Sequence, residues 1–194
     1  MGKVMDRVMD NVMDKFKCDG LQLLDMLLIV EGLDNLGKTT FAKTLSNTFE
    51  IKYVDYPIPS GKRECDRFRN AVDELLKIYG NGEDITIVDR SIISSIVYDT
   101  ILFSPFSLNK VLKLLKNMDV KVLTFLPDKT MIQRVMMDDD MQGKDYKHIL
   151  NLIERYKVVD ASMQKHGIFA KEVWINYDSN FTPEKSLKYA KYFF

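Results

Sequence analysis

Residues 32 to 39 read Gly-Leu-Asp-Asn-Leu-Gly-Lys-Thr, which fits G-x-x-x-x-G-K-[ST] with no substitution at a required position. Nothing else in the chain constrains its fold as strongly. Gly32 and Gly37 allow the backbone angles that turn successive N–H groups inward, and a helix starting near Lys38 adds its partial positive end. Such a turn is a cradle for phosphate, with Asn35, Leu36 and Thr40 completing it. Lys38 supplies a point charge for β- and γ-phosphates, and the Thr39 hydroxyl is placed to ligate Mg²⁺. The cradle needs a strand before it and a helix after it. Met26 to Val30 read as a short buried strand, and Thr40 to Phe49 as a helix with Phe41, Leu45 and Phe49 on one face. The plain alternative is a glycine turn between strand and helix that holds no ligand.

Beyond the cradle, short β-rich runs alternate with longer helical ones, the pattern of an α/β fold: a parallel sheet with helices on both faces. Strands are predicted at Lys52 to Tyr56, Ile85 to Asp89, Val120 to Leu126 and Glu172 to Tyr177. Helices are predicted at Arg63 to Tyr79, Ser91 to Phe103, Leu108 to Asn117, Lys129 to Met137, Tyr146 to Lys165 and Pro183 to Phe193. In open sheets of this kind ligands bind at the carboxyl ends of the strands. Residues 4 to 16 stand apart, repeating Val-Met-Asp every four positions, so Val4, Val8, Val12 and Phe16 form an apolar stripe if helical. Residues 1–25 are therefore read as an N-terminal helical extension and residues 26–194 as the functional domain.

Composition narrows the class. Lys plus Arg and Asp plus Glu both number 28, so no net charge draws the chain onto a duplex or an acidic membrane. Cys18 and Cys65 stand alone, without metal-ligand spacing, which suits a reducing compartment and argues against a zinc site or a disulfide framework. No apolar run reaches the length of a membrane span, and "MGKVMD" lacks the features of a signal peptide, so the chain is read as cytoplasmic.

Three clusters carry chemistry. The strand "ITIVDRS" delivers Asp89, a second candidate ligand for the Mg²⁺ shell, and Arg90, whose planar guanidinium can reach a phosphate; the plain alternative is a pair capping the next helix. Asp34, inside the cradle turn, is a candidate base or only a turn stabiliser, and Glu31 is a further acid at the strand end. After the second strand come Tyr56-Pro57 and the basic group Arg63, Arg67 and Arg69, a candidate clamp for an acceptor phosphate or a solvated surface. Tyr56, Phe68 and Tyr98 are candidates for stacking on a base, weighed against plain core packing. The third cluster, "MMDDDMQGKDYKHIL", reads as a flap near residues 138–146 that shuts water out, or as a solvated loop.

With these pieces in order, the chain resembles thymidylate kinases, within the wider group of P-loop nucleoside and nucleotide kinases, from Met26 onward. "EGLDNLGKTT" is similar to that family's E-G-x-D-x-x-G-K-[ST]-T cradle. "DRSIISSIVYD" is similar to its D-R-x-x-x-S-x-x-[AG]-[YF] segment, with Asp89, Arg90, Ser94, Ser95 and Tyr98 on matching positions. "DYPIP", "FLPDKTMIQRV" and "HILNLIERYKVV" resemble its second strand end, its strand-Pro-helix before the lid and the helix after it. The resemblance implies a five-stranded parallel sheet, ATP with Mg²⁺ as donor, a pyrimidine deoxynucleoside monophosphate such as dTMP as acceptor, and often a homodimer. It also implies a substrate-facing role for Ser94 and Tyr98.

The chain departs from the family pattern in two places. Only about thirty residues separate Tyr56-Pro57 from Asp89-Arg90, and no N-R segment is present. Where the family sets an arginine in the cradle or lid, this chain has Asn35 and Leu36 in one and Lys144 and Lys147 in the other. Arg134 or one of the Arg63 to Arg69 group is the candidate substitute. Kinases acting on a hydroxyl, whether of a deoxynucleoside, a modified base or a polynucleotide end such as DNA, share the scaffold and are the rival reading. A non-catalytic nucleotide-binding module is the other.

Overall fold

The structure, a computed structural model, describes residues 26–57, 61, 64–80, 85–99, 103–136, 146–176 and 189–192. In chain order the elements are β1 (Met26–Gly32), α1 (Lys38–Phe49), β2 (Lys52–Asp55), α2 (Glu64–Gly80), β3 (Ile85–Asp89), α3 (Ile92–Tyr98), α4 (Pro105–Lys116), β4 (Asp119–Pro127), α5 (Lys129–Met136), α6 (Tyr146–Lys165) and β5 (Phe169–Ile175). The strands form one parallel sheet in the order β2-β3-β1-β4-β5. This is the expected α/β architecture with helices on both faces. β1 lies at the centre, and Leu27, Leu28, Ile29 and Val30 are all fully buried, because a strand covered on both faces reads as a continuous apolar run.

Alternate residues of β4 show the two layers. Phe125 meets Phe41 of α1 at a ring separation of 5.2 Å and Tyr189 at 6.3 Å. Its neighbour Thr124 points the other way and donates to Asp160 of α6 at 2.8 Å. Local sequence sets the helix starts. Ser104 caps α4 by accepting from the Ser107 N–H, with Pro105 in the first turn. Ser91 caps α3 in the same way through the Ile93 N–H. Among the described residues no helix is long and apolar enough to cross a membrane.

Several boundaries differ from the sequence reading. β5 starts at Phe169, not Glu172, because Lys121 pairs with Phe169 and the ladder to β4 continues from there. α3 stops at Tyr98, where Asp99 takes an extended conformation, instead of running to Phe103. α4 begins three residues before Leu108, at its proline. Phe49 does not share the buried face of Phe41 and Leu45: at the last turn of α1 it is 45% exposed. Of the predicted helix from Pro183 to Phe193, only residues 189–192 lie within the description; residues 1–25 lie outside it, as does the flap at 138–146 except its last residue.

Candidate nucleotide-binding site

The cradle is built where β1 ends. Gly32 takes φ 123°, and a Cβ there would lie 2.0 Å from the Phe125 carbonyl oxygen, so no side chain fits between β1 and β4. Asn35 at φ 59° and Gly37 at φ 76° complete the turn into α1, whose first residue is Lys38. α1 has no side-chain cap, which leaves its first N–H groups to the turn and to whatever the turn holds. Lys38 is 5% exposed; its ammonium donates to the Leu33 carbonyl at 2.5 Å and lies 3.9 Å from Asp34. Burial lowers its pKa to about 8, against the pull of Asp89 and Glu31, so it keeps its charge at neutral pH.

Asp89 reaches the same place from the neighbouring strand, because β1 and β3 pair with Val30 opposite Asp89. Thr39 donates its hydroxyl to Asp89 Oδ2 at 2.5 Å, and the Tyr53 hydroxyl approaches the same oxygen at 3.4 Å. Asp89 Oδ1 is buried and has no hydrogen-bond partner among the described residues. One hydroxyl and one carboxylate with an unused oxygen suit a hard cation such as Mg²⁺. Among the described residues no group of three His, Cys, Asp or Glu converges, so a cation here would take its other ligands from phosphates and water.

Arg90 follows in a left-handed conformation, φ 71°, with its N–H on the Val30 carbonyl at 2.9 Å. A non-glycine residue held there is strained, and its guanidinium pairs with Asp34 in the cradle. The Tyr98 hydroxyl lies 3.5 Å from the other oxygen of Asp34. A second arginine, Arg67 of α2, is bound to Asp99 at 2.8 Å across the end of α3. Lys38, Asp34, Arg90 and Tyr98 thus converge on the rim of one cradle.

Other expected site residues lie elsewhere. Phe68 is 1% exposed and packs in the core, so it presents no stacking face. Tyr56 is buried between β2 and α2 with its hydroxyl donated to the Ala71 carbonyl at 2.6 Å, again the core reading. Pro57 is exposed just beyond β2. Ser94 gives its hydroxyl to Glu31, inside the protein, and so does not face a substrate. Arg63 lies outside the described residues; Arg134 is in α5, its side chain not described.

The sequence reading named Glu31 and Ser94 but missed that they meet Tyr156 in a buried polar group behind the cradle. Glu31, fully buried, accepts from Ser91 Oγ at 2.5 Å and from Ser94 Oγ. Burial raises its pKa, opposed by those two hydrogen bonds and by the charges of Lys38 and Arg90. Tyr156 of α6 closes the group. The one available signal was a tyrosine and an aspartate on the otherwise apolar stripe Ile149, Leu152, Ile153, Tyr156, Val159, Asp160, Met163. Tyr53 had no signal beyond lying on a predicted strand.

No model of a known protein family matches this chain, and no curated protein is similar to it in sequence. Solved structures are similar in fold. The YorR protein of Bacillus subtilis, solved in complex with phosphorylated GDP, is 21% identical, over 86% of this chain and 94% of that one, with a TM-score of 0.58. Shikimate kinase of Bacteroides thetaiotaomicron is 11% identical over 86% and 96%, at 0.55. Thymidylate kinase of Ehrlichia chaffeensis is 15% identical over 88% and 99%, at 0.53. What these proteins share with this chain is the fold, a five-stranded parallel sheet with helices on both faces.

Proposed function

We propose that this chain transfers the γ-phosphoryl group of ATP to a deoxynucleoside monophosphate, dTMP before others. The observation that carries the reading is that Thr39 of the cradle donates to Asp89 of the neighbouring strand, whose charge is felt by the buried Lys38 ammonium. In this reading the triphosphate lies on the N–H groups of the turn, and Lys38 neutralises charge on the β- and γ-phosphates. Thr39 and Asp89 would hold Mg²⁺, which would offset charge on the phosphates. An oxygen of the acceptor phosphate forms the new bond to γ-phosphorus as the bond to the bridging oxygen breaks, so ADP leaves. Arg90, next to Asp34 on the rim, exchanges that carboxylate for the acceptor phosphate, and Tyr98 lines the same mouth. A phosphate acceptor needs no proton removed, which suits a site whose rim presents a guanidinium. A hydroxyl acceptor is the rival, with Asp89 or Asp34 as the base. Residues 26–194 carry the activity, residues 1–25 are an addition, and the protein works in the cytoplasm as a homodimer.

The test uses γ-labelled ATP with dTMP, thymidine and a DNA 5′-hydroxyl as competing acceptors. Label should appear on dTMP and fall by about 10² to 10³ in Lys38→Ala, with circular dichroism unchanged. Label on thymidine or DNA and none on dTMP would replace the reading with its rival.

A further inference from the structure

The Tyr156 hydroxyl is buried and lies among three oxygens: 3.2 Å from Ser94 Oγ, 3.3 Å from the Gly32 carbonyl and 3.5 Å from Glu31 Oε2. A tyrosine has one proton to give. Ser94 has already given its own to Glu31, and Ser91 donates to the other carboxylate oxygen. Ser94 Oγ and the Gly32 carbonyl are left as the nearest acceptors. Burial pushes the phenol far above its ordinary range, so the proton stays on Tyr156.

Gly32 is the first residue of the cradle, and it is held on its other side by the Phe125 backbone, which leaves no room for a Cβ. The peptide joining Gly32 to Leu33 is planar and trans, so fixing its carbonyl also fixes the Leu33 N–H, which points the opposite way. The next carbonyl, that of Leu33, is held by Lys38. The first two peptides of the turn are thus oriented by side chains, one by the cradle's own lysine and one, from outside the turn, by a tyrosine about 120 residues later in the chain.

We infer that Tyr156 is a positioning residue of the phosphate cradle: its hydroxyl, whose one proton is shared between Ser94 Oγ and the Gly32 carbonyl, holds that carbonyl and so presets the turn for a triphosphate. It touches no substrate. The inference rests on the reading that the turn binds ATP, and the experiment separates the two. Calorimetry with Mg·ATP on the unmodified protein tests that reading alone: no heat overturns the reading and this inference with it. If ATP binds, Tyr156→Phe, which keeps the ring and loses the hydroxyl, should weaken Mg·ATP by about tenfold, the equivalent of about 1.4 kcal/mol, with the KM for acceptor unchanged. A merely structural tyrosine would lower the thermal midpoint and leave nucleotide affinity within twofold of the parent, and that result overturns the inference. Should the variant not fold, 3-fluorotyrosine at position 156 decides: its ¹⁹F resonance moves on adding Mg·ATP if the hydroxyl supports the cradle. A resonance that stays fixed while ATP binds overturns it.

Discussion

Replacing Asp160 with asparagine removes a charge from the core without changing the shape of the side chain. Asp160 lies on α6 facing the sheet, buried, with Oδ1 accepting from Thr124 and Oδ2 without a hydrogen-bond partner among the described residues. Thr124 sits in the β4 ladder between Glu31 of β1 and Glu172 of β5. Burial raises the Asp160 pKa to about 7 from its ordinary 3.8; Thr124 opposes the rise, and Glu172 and Glu31 add to it. Below the ordinary value both folded and unfolded chains hold the proton. Between there and about pH 7 the folded chain keeps a proton that the unfolded one has lost, so stability falls as pH rises, and above 7 the full cost is present. At about 1.36 kcal/mol per decade, that interval bounds the cost at roughly 4 kcal/mol.

Asparagine can keep the Thr124 bond through its carbonyl, but sets an amide nitrogen where Oδ2 has no partner, a loss of about 1–3 kcal/mol. Asp160→Asn should therefore be more stable than the parent by about 1–3 kcal/mol near pH 8.5 and equal or less stable near pH 4.5. Urea titrations across that range read the difference as a midpoint shift of roughly 1 M at high pH. Groups shared by both proteins cancel in the comparison. Stability curves that run parallel from acid to alkali would refute the reasoning, since a constant offset means Asp160 does not titrate on folding.

Three other outcomes are expected. Gly32→Ala would drive a Cβ into the Phe125 carbonyl at a left-handed φ and should cost more than about 3 kcal/mol in urea unfolding; a loss under about 1 kcal/mol would show that β1 and β4 can part freely. Arg90→Gly relieves the left-handed strain while deleting the guanidinium, so stability should stay within about 1 kcal/mol of the parent while the KM for acceptor rises at least tenfold. A large loss of stability with KM unchanged would make Arg90 a structural residue. Deleting residues 1–25 should leave the transfer rate unchanged; a folded but inactive truncation would place part of the site in that segment.

The sequence made the fold legible because the cradle is contiguous and its flanks obey simple periodicities. Four apolar residues before Gly32 and a helical stripe after it need no knowledge of the rest of the chain. That Lys38, Thr39, Asp89 and Arg90 would lie close together was legible for the same reason: each sits at a strand end or within a motif of fixed spacing. The errors have physical causes. Phe49 satisfies the helical period, yet it falls on the last turn, beyond the sheet that covers Phe41 and Leu45. The start of β5 is set by pairing with β4, since Phe169 and Lys171 are exposed and leave no run of buried residues to read. Tyr156 and Ser94 meet Glu31 through packing between α6, α3 and β1, a juxtaposition that no local pattern encodes. Tyr56 and Phe68 were ambiguous because an aromatic beside a cleft and one beneath it look alike in sequence.

The strand order carries a cost for the chain as it is made. β1 leaves the ribosome early, but its two neighbours in the sheet begin at Ile85 and Asp119. At about 5–20 residues per second, Leu27 to Val30 wait several seconds for the first of them and longer for the second. During that interval four residues that end fully buried have no sheet neighbour to cover them, so the nascent chain carries its future centre exposed to water.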